Sequence, residues 1–109
     1  MGGGIKIKTV FFSHPFRGDE QENDKKVDKI CKNILKDTED ILPLSPLHLF
    51  SFMSANPVYE SLIMSVCFNM IDIADEVWFF KYGELSEGQI QELEYAKSKD
   101  KLITIIEMR

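Results

Sequence analysis

Two short runs of β-forming residues constrain this chain more than any other feature: Lys6–Phe12 (KIKTVFF) and Ala74–Phe80 (ADEVWFF). Each finishes on consecutive large apolar side chains. A strand of that kind is buried on both faces at its C-terminal end, as in a parallel sheet covered by helices. Two further strands are read at Asp40–Leu44, weakened by Pro43, which has no N–H for a ladder, and at Lys101–Ile106 (KLITII). Helical patterns alternate with them. From about Asp24, residues Val27, Ile30, Cys31, Ile34 and Leu35 recur at helical steps, with lysines on the opposite face. A second helix runs from roughly Val58 to Ile73 and is apolar nearly all round. A third follows Ser86, a good N-cap, and ends near Ser98. The order β-α-β-α-β-α-β predicts an α/β fold: a mostly parallel sheet of four or five strands with helices on both faces.

At 109 residues, with no internal repeat, low-complexity tract or linker, the chain reads as one domain over residues 1–109. Its formal charge is −5 and it has no Lys/Arg cluster. That argues against a nucleic-acid polymer as partner, because such binding is driven by phosphate neutralisation. No apolar stretch is long enough to span a bilayer, so no membrane partner is expected. Met1–Lys6 lacks the long apolar core of a signal peptide, and the expected location is the cytoplasm. There Cys31 and Cys67 are expected as buried free thiols, and no metal site is expected.

In an open parallel sheet, ligands bind at the C-terminal strand edge, near the topological switch point. Three loops reach that edge: Ser13–Asp19, Ser45–Asn56 and Lys81–Ser86. The first offers the Ser13 hydroxyl, a bend at Pro15, the Arg17 guanidinium and Gly18, where the backbone can be approached closely. This combination suits an anion or a sugar phosphate; a surface turn with a solvated arginine is the competing reading. Neither Gly-x-x-x-x-Gly-Lys-Ser/Thr nor Gly-x-Gly-x-x-Gly is present, which weakens nucleoside-triphosphatase and dinucleotide readings. The third loop opens a helix with Ser86-Glu87-Gly88, whose first N–H groups suit a phosphate or a hydroxyl, although Glu87 already answers the helix dipole. Glu92 lies about 240° round the axis from Ser86, and on periodicity alone it is an ordinary solvated glutamate.

Taken together, SHPFRGD (13–19), ADEVWFF (74–80) and SEGQIQELEYA (86–96) resemble the nucleoside 2-deoxyribosyltransferase superfamily, most of all its small bacterial and phage relatives of unassigned function. The likeness runs from Lys6 to Ile106 and rests on the order and spacing of three motifs. It implies a flavodoxin-like or Rossmann-like fold. It also implies a glutamate, early in the helix after the third strand, that attacks the anomeric carbon of a deoxynucleoside. The matching residue is Glu92, with the small Ala96 four positions on. In the deoxynucleotide N-glycosidase branch, a Ser-x-x-Arg-Gly type loop and a Ser-x-Gly helix start hold the 5′-phosphate. Ser13, Arg17, Gly18, Ser86 and Gly88 are the corresponding residues here, with three residues rather than two between Ser13 and Arg17. One position departs. Active members carry an aspartate on the second helix, eight residues before the aspartate of the Ala-Asp pair, and counting back from Asp75 gives Cys67. Asp72 lies five residues further on and is rotated off that face. Loss of that acid removes the obvious proton donor to a leaving base and bears on turnover more than on binding.

Other residues carry open readings. His48 either caps the pocket, replaces the lost acid, or is a loop histidine bonded to backbone. His14 either lines the pocket mouth or is a spectator. Asp75 and Glu76, at the wrong sheet edge for catalysis, read as turn and solvent residues. Trp78, Phe79 and Phe80 read as core, with Phe80 also a candidate to stack on a base. Phe50, Phe52 and Met53 form either a lid or a dimer surface.

Two functions follow. One is an N-glycosidase or 2-deoxyribosyltransferase-like enzyme acting on a nucleoside or its monophosphate through Glu92, without metal or organic cofactor. The other is a non-catalytic nucleotide-binding module using the same pocket. A purely structural subunit leaves the three loops unexplained. The nearly all-apolar second helix further predicts a homodimer or higher oligomer that buries one of its faces.

Overall fold

The computed structural model describes residues 7–15, 20–46 and 59–109. Along the chain run β1 (Lys8–Ser13), α1 (Glu20–Asp37), β2 (Ile41–Leu44), α2 (Glu60–Ile73), β3 (Glu76–Tyr82), α3 (Glu87–Ser98) and β4 (Leu102–Met108). Every strand pair is parallel, in the order β2-β1-β3-β4. This is the flavodoxin-like α/β arrangement expected from the alternation of elements.

Strand register decides which side chains share a face. Phe11 pairs with Val77 and Ser13 with Phe79, while Val77 pairs with Ile103, so these residues look the same way. On that face Phe11, Val77 and Phe79 meet Cys67 and Ile71 of α2 and Ala96 of α3. The alternate residues Val10, Phe12 and Phe80 form a second cluster against Ile30, Cys31 and Ile34 of α1. Handedness accounts for the division. The chain steps from β1 outward to β2, then back past β1 to β3, so right-handed crossovers place α1 on one face and α2 and α3 on the other. The reversal makes the gap between the C-terminal ends of β1 and β3 the switch point. Burial of each phenylalanine contributes roughly 1.5–3 kcal/mol, and Phe11, Phe12, Phe79 and Phe80 are all buried where these two strands finish.

Several boundaries differ from the sequence reading. Helix α1 begins at Glu20 rather than about Asp24. Its apolar periodicity starts only at Val27, but acidic residues such as Glu22 and Asp24 favour a helix N-terminus. Strand β3 extends to Tyr82 and β4 to Met108, because Lys81 and Tyr82 continue the ladder opposite Glu107 and Met108. Pro43 lies in β2, an edge strand paired only with β1, where a missing N–H is tolerated.

Asp75 and Glu76 do sit at the N-terminal strand edge, Asp75 exposed in a bend and Glu76 half-buried, and both are hydrogen-bonded. The Asp75 carboxylate accepts from the Thr9 backbone N–H at 2.8 Å and from Thr9 Oγ1 at 3.2 Å. Glu76 accepts from Lys8 Nζ at 2.7 Å and from Trp78 Nε1 at 3.1 Å. These contacts stitch β1 to β3 at the edge away from the site.

The expected start of the second helix at Val58 lies outside the described residues. Although α2 reads as apolar nearly all round, Ser61, Ser65, Asn69 and Asp72 face solvent, beside the exposed Leu62 and Ile73. Its flank packs on α3: Phe68 stacks on Tyr95 at 4.3 Å, and the Tyr95 hydroxyl donates to Asp72 at 2.8 Å. Both cysteines are free thiols, on opposite faces of the sheet. Burial pushes the Cys31 thiol up to about 11 and also raises that of Cys67. Among the described residues no helix is long and apolar enough to cross a membrane.

Candidate active site

Ser13 is the last residue of β1, fully buried at the switch point on the face covered by α2 and α3. Above it starts α3. Ser86 Oγ accepts the Gln89 backbone N–H at 3.2 Å, and Gln89 Oε1 accepts the Ser86 backbone N–H at 3.0 Å. This reciprocal capping box satisfies two amides that precede the helical ladder. The Gln89 side-chain nitrogen then donates to the carbonyls of Ser13 at 3.1 Å and Phe80 at 2.9 Å. The first turn of α3 is thereby tied to the ends of β1 and β3 together.

Nearly one turn further along α3 the Glu92 carboxyl turns inward. Ser13 Oγ donates to Glu92 Oε1 at 2.6 Å, as short as a hydroxyl–carboxylate bond is expected to be. From α2 the Cys67 thiol faces the same carboxyl. Glu92 is only 7% exposed, whereas its helical position alone reads as solvated. Leu93 and Ala96 pack on the sheet, which leaves Glu92 at the margin of the buried face.

Burial dominates the electrostatics. It pushes the Glu92 carboxyl up to about 7, against the opposing pull of the Ser13 hydrogen bond and of the Cys67 thiol. Burial also raises the Cys67 thiol, and the neighbouring Glu92 charge raises it further. A carboxyl that titrates near neutrality is populated both as a nucleophilic carboxylate and as a proton-donating acid. Among the described residues no group of three or more His, Cys, Asp or Glu side chains is placed to hold a metal ion.

The structure brings Ser13 and Glu92 into direct contact and sets Ser86 and Gly88 on the turn above them. A Cβ added at Gly88 would meet nothing within 4 Å, so helix packing among the described residues does not demand glycine there. Pro15 contributes a carbonyl that accepts from His14 Nδ1 at 2.8 Å. Arg17, Gly18 and His48, together with Phe50, Phe52 and Met53, lie outside the described residues.

His14 is a buried, hydrogen-bonded residue. It is 5% exposed, on the α1 side of the sheet. Because its Nδ1 must donate to the Pro15 carbonyl, a neutral ring accepts the Tyr82 hydroxyl at Nε2, 2.7 Å away. Burial lowers the His14 pKa, and Lys26 lowers it further, which favours this neutral form. Phe80 is buried on that same side, edge-on to Phe12, and is not placed to stack on a base lying at Glu92. Gln89 is the residue that the site reading overlooked. The Ser-x-x-Gln spacing of a capping box is its sequence signal.

The parallel sheet ordered 2-1-3-4 thus carries a buried carboxyl over its switch point. The structure is similar to the 2-deoxyribosyltransferase of Leishmania mexicana, with a TM-score of 0.71 and 18% identity over 94% of this chain and 65% of that one. It is also similar to the 2-deoxyribosyltransferase of the psychrotolerant bacterium Bacillus psychrosaccharolyticus, with a TM-score of 0.70 and 17% identity over 91% of this chain and 72% of that one. At such identities the likeness shows the fold, which is that of the deoxyribosyltransferases. The chain spans 65% of the length of the Leishmania protein. No curated protein sequence matches it. The chain belongs to the family described as a domain of unknown function (DUF7768), whose model matches residues 8–106.

Proposed function

We propose that this chain, as a single domain, binds a nucleoside or nucleoside monophosphate and breaks or transfers its N-glycosidic bond, with Glu92 as the nucleophile. The observation that carries the reading is the buried Glu92 carboxyl, held by Ser13 at 2.6 Å over the switch point of a deoxyribosyltransferase fold. Its ionised form attacks the anomeric carbon as the bond to the base breaks. The base departs with the bonding electrons and takes a proton from water. Water or a second base then displaces the sugar from Glu92, so that one difficult displacement becomes two easier ones. The 5′-phosphate is assigned to the loop of Ser13, Arg17 and Gly18, to the Ser86 hydroxyl, whose own proton is still free to donate, and to the Gly88 amide, with Pro15 shaping the loop and His48 closing over the base.

A second reading, a nucleotide-binding module without turnover, is favoured by one residue. Cys67 faces Glu92 from α2, and burial keeps its thiol protonated and a poor acid for a leaving base. A panel of deoxynucleosides and their monophosphates separates the two. Free base appears if the enzyme reading holds. Thermal stabilisation without free base supports the module, and neither effect ends both readings. The proposal includes self-association through α2, whose exposed Leu62 and Ile73 flank its polar stripe. A monomeric mass at micromolar concentration would remove that part.

A further inference from the structure

The geometry points to Gln89 as the residue that positions the Glu92 carboxyl, because it clamps the first turn of α3 to the backbone of the same serine whose hydroxyl holds Glu92. Ser13, Gln89 and Glu92 close one loop: Ser13 Oγ donates to Glu92 at 2.6 Å, and Gln89 Nε2 donates to the Ser13 carbonyl at 3.1 Å. The second donor of Gln89 goes to Phe80 and its oxygen accepts from Ser86, so each polar atom of a side chain only 1% exposed has a partner. Apolar anchoring of α3 is thin. Its buried residues are Gln89, Glu92 and Ala96, and only the last is apolar. Leu93 and Tyr95 add half-buried contacts, and a helix so held is free to shift by amounts that a short hydroxyl–carboxylate bond does not tolerate. The hydrogen bonds of Gln89 supply the missing constraint. Among the described residues, the groups facing Glu92 are the Ser13 hydroxyl from β1 and the titratable Cys67 thiol from α2. Gln89 acts on the carboxyl through Ser13 and the helix, so it is a positioning residue.

The inference rests on reading Glu92 as the functional carboxyl, but its test needs no turnover. The Glu92 side-chain carboxyl is titrated by carbon NMR in the whole chain, unaltered and as Gln89→Met. In the folded variant the midpoint should move by at least about half a pH unit. It moves up if Glu92 stays buried without Ser13, and down if the released carboxyl reaches water. A midpoint that stays put in the folded variant overturns the inference, since a side chain that only fills space would lower stability and leave the titration alone. A second measurement requires no variant to fold. In the unaltered protein the Gln89 side-chain amide resonances should follow the Glu92 midpoint, and resonances flat across that range overturn the inference. Absence of base release would count against the proposed reaction while leaving both readouts decisive for Gln89.

Discussion

Ser13 and Glu92 stand 79 positions apart in the chain, and the hydroxyl of one donates to the carboxylate of the other at 2.6 Å inside the protein. The contact exists because the order of strand addition turns back after β2, which sets β3 parallel to β1 on its other side. That reversal puts the end of β1 beneath the helix that leaves β3. A glutamate carried there loses its water and keeps the Ser13 hydroxyl as a donor, and the loss of water dominates.

Such burial has a pH signature. The folded-state pKa of Glu92 is raised, to about 7, so its contribution to stability is fully present below the ordinary glutamate value and is lost as pH rises through 7. The loss approaches roughly 3 kcal/mol by pH 8. Glu92→Gln should abolish this term and melt higher than the wild type at pH 8, with a smaller difference at pH 5. Melting curves at the two pH values check it, and a variant no more stable at pH 8 contradicts the burial argument.

Ser13→Ala removes the donor that favours the ionised form of Glu92. The midpoint of base release should move to more alkaline pH by about one unit, and the rate at pH 7 should fall several-fold. The measurement is a rate–pH profile for both proteins. An unchanged profile would mean that the hydrogen bond does not govern the carboxyl.

For the phosphate, a nucleoside monophosphate should bind more tightly than its nucleoside. Arg17→Ala should remove most of that preference, since a charge-assisted contact contributes roughly 1.5–3 kcal/mol. Calorimetric titration with both ligands tests this. Equal affinities in the wild type refute the assignment whatever the variant does.

Asp75→Ala offers a control at the opposite strand edge. It deletes the acceptor for the Thr9 amide and hydroxyl and should cost about 1–3 kcal/mol in denaturant unfolding. Nucleotide affinity of the folded variant should be unchanged, because the stitch lies at the other end of the sheet. A large loss of affinity would connect the two edges in a way this fold does not explain.

The sheet was legible because Val10–Phe12 and Val77–Phe80 carry apolar runs that only a doubly covered strand can bury. Ser86 announced α3 through its capping chemistry. The inward turn of Glu92 was not legible from periodicity, since Gln89 and Glu92 are buried polar residues and make the inner face of α3 look like an outer one. Family likeness, rather than pattern, singled out Glu92. Nor did local sequence foretell that His14 pairs with Tyr82 or that Asp75 holds Thr9. Both contacts span more than sixty residues and depend on strand register. The solvent stripe of α2 was obscured because Leu62 and Ile73 fall beside Ser65 and Asn69 and blur its polarity.

The most direct test of the central claim is release of free base from deoxynucleosides and their monophosphates, followed side by side for the wild type and Glu92→Gln. The account predicts release by the wild type, rising with pH through about 7 as the carboxyl ionises. It predicts none from the variant, although the variant binds the same ligand with nearly the same affinity. Undiminished release by Glu92→Gln would show that Glu92 is not the nucleophile.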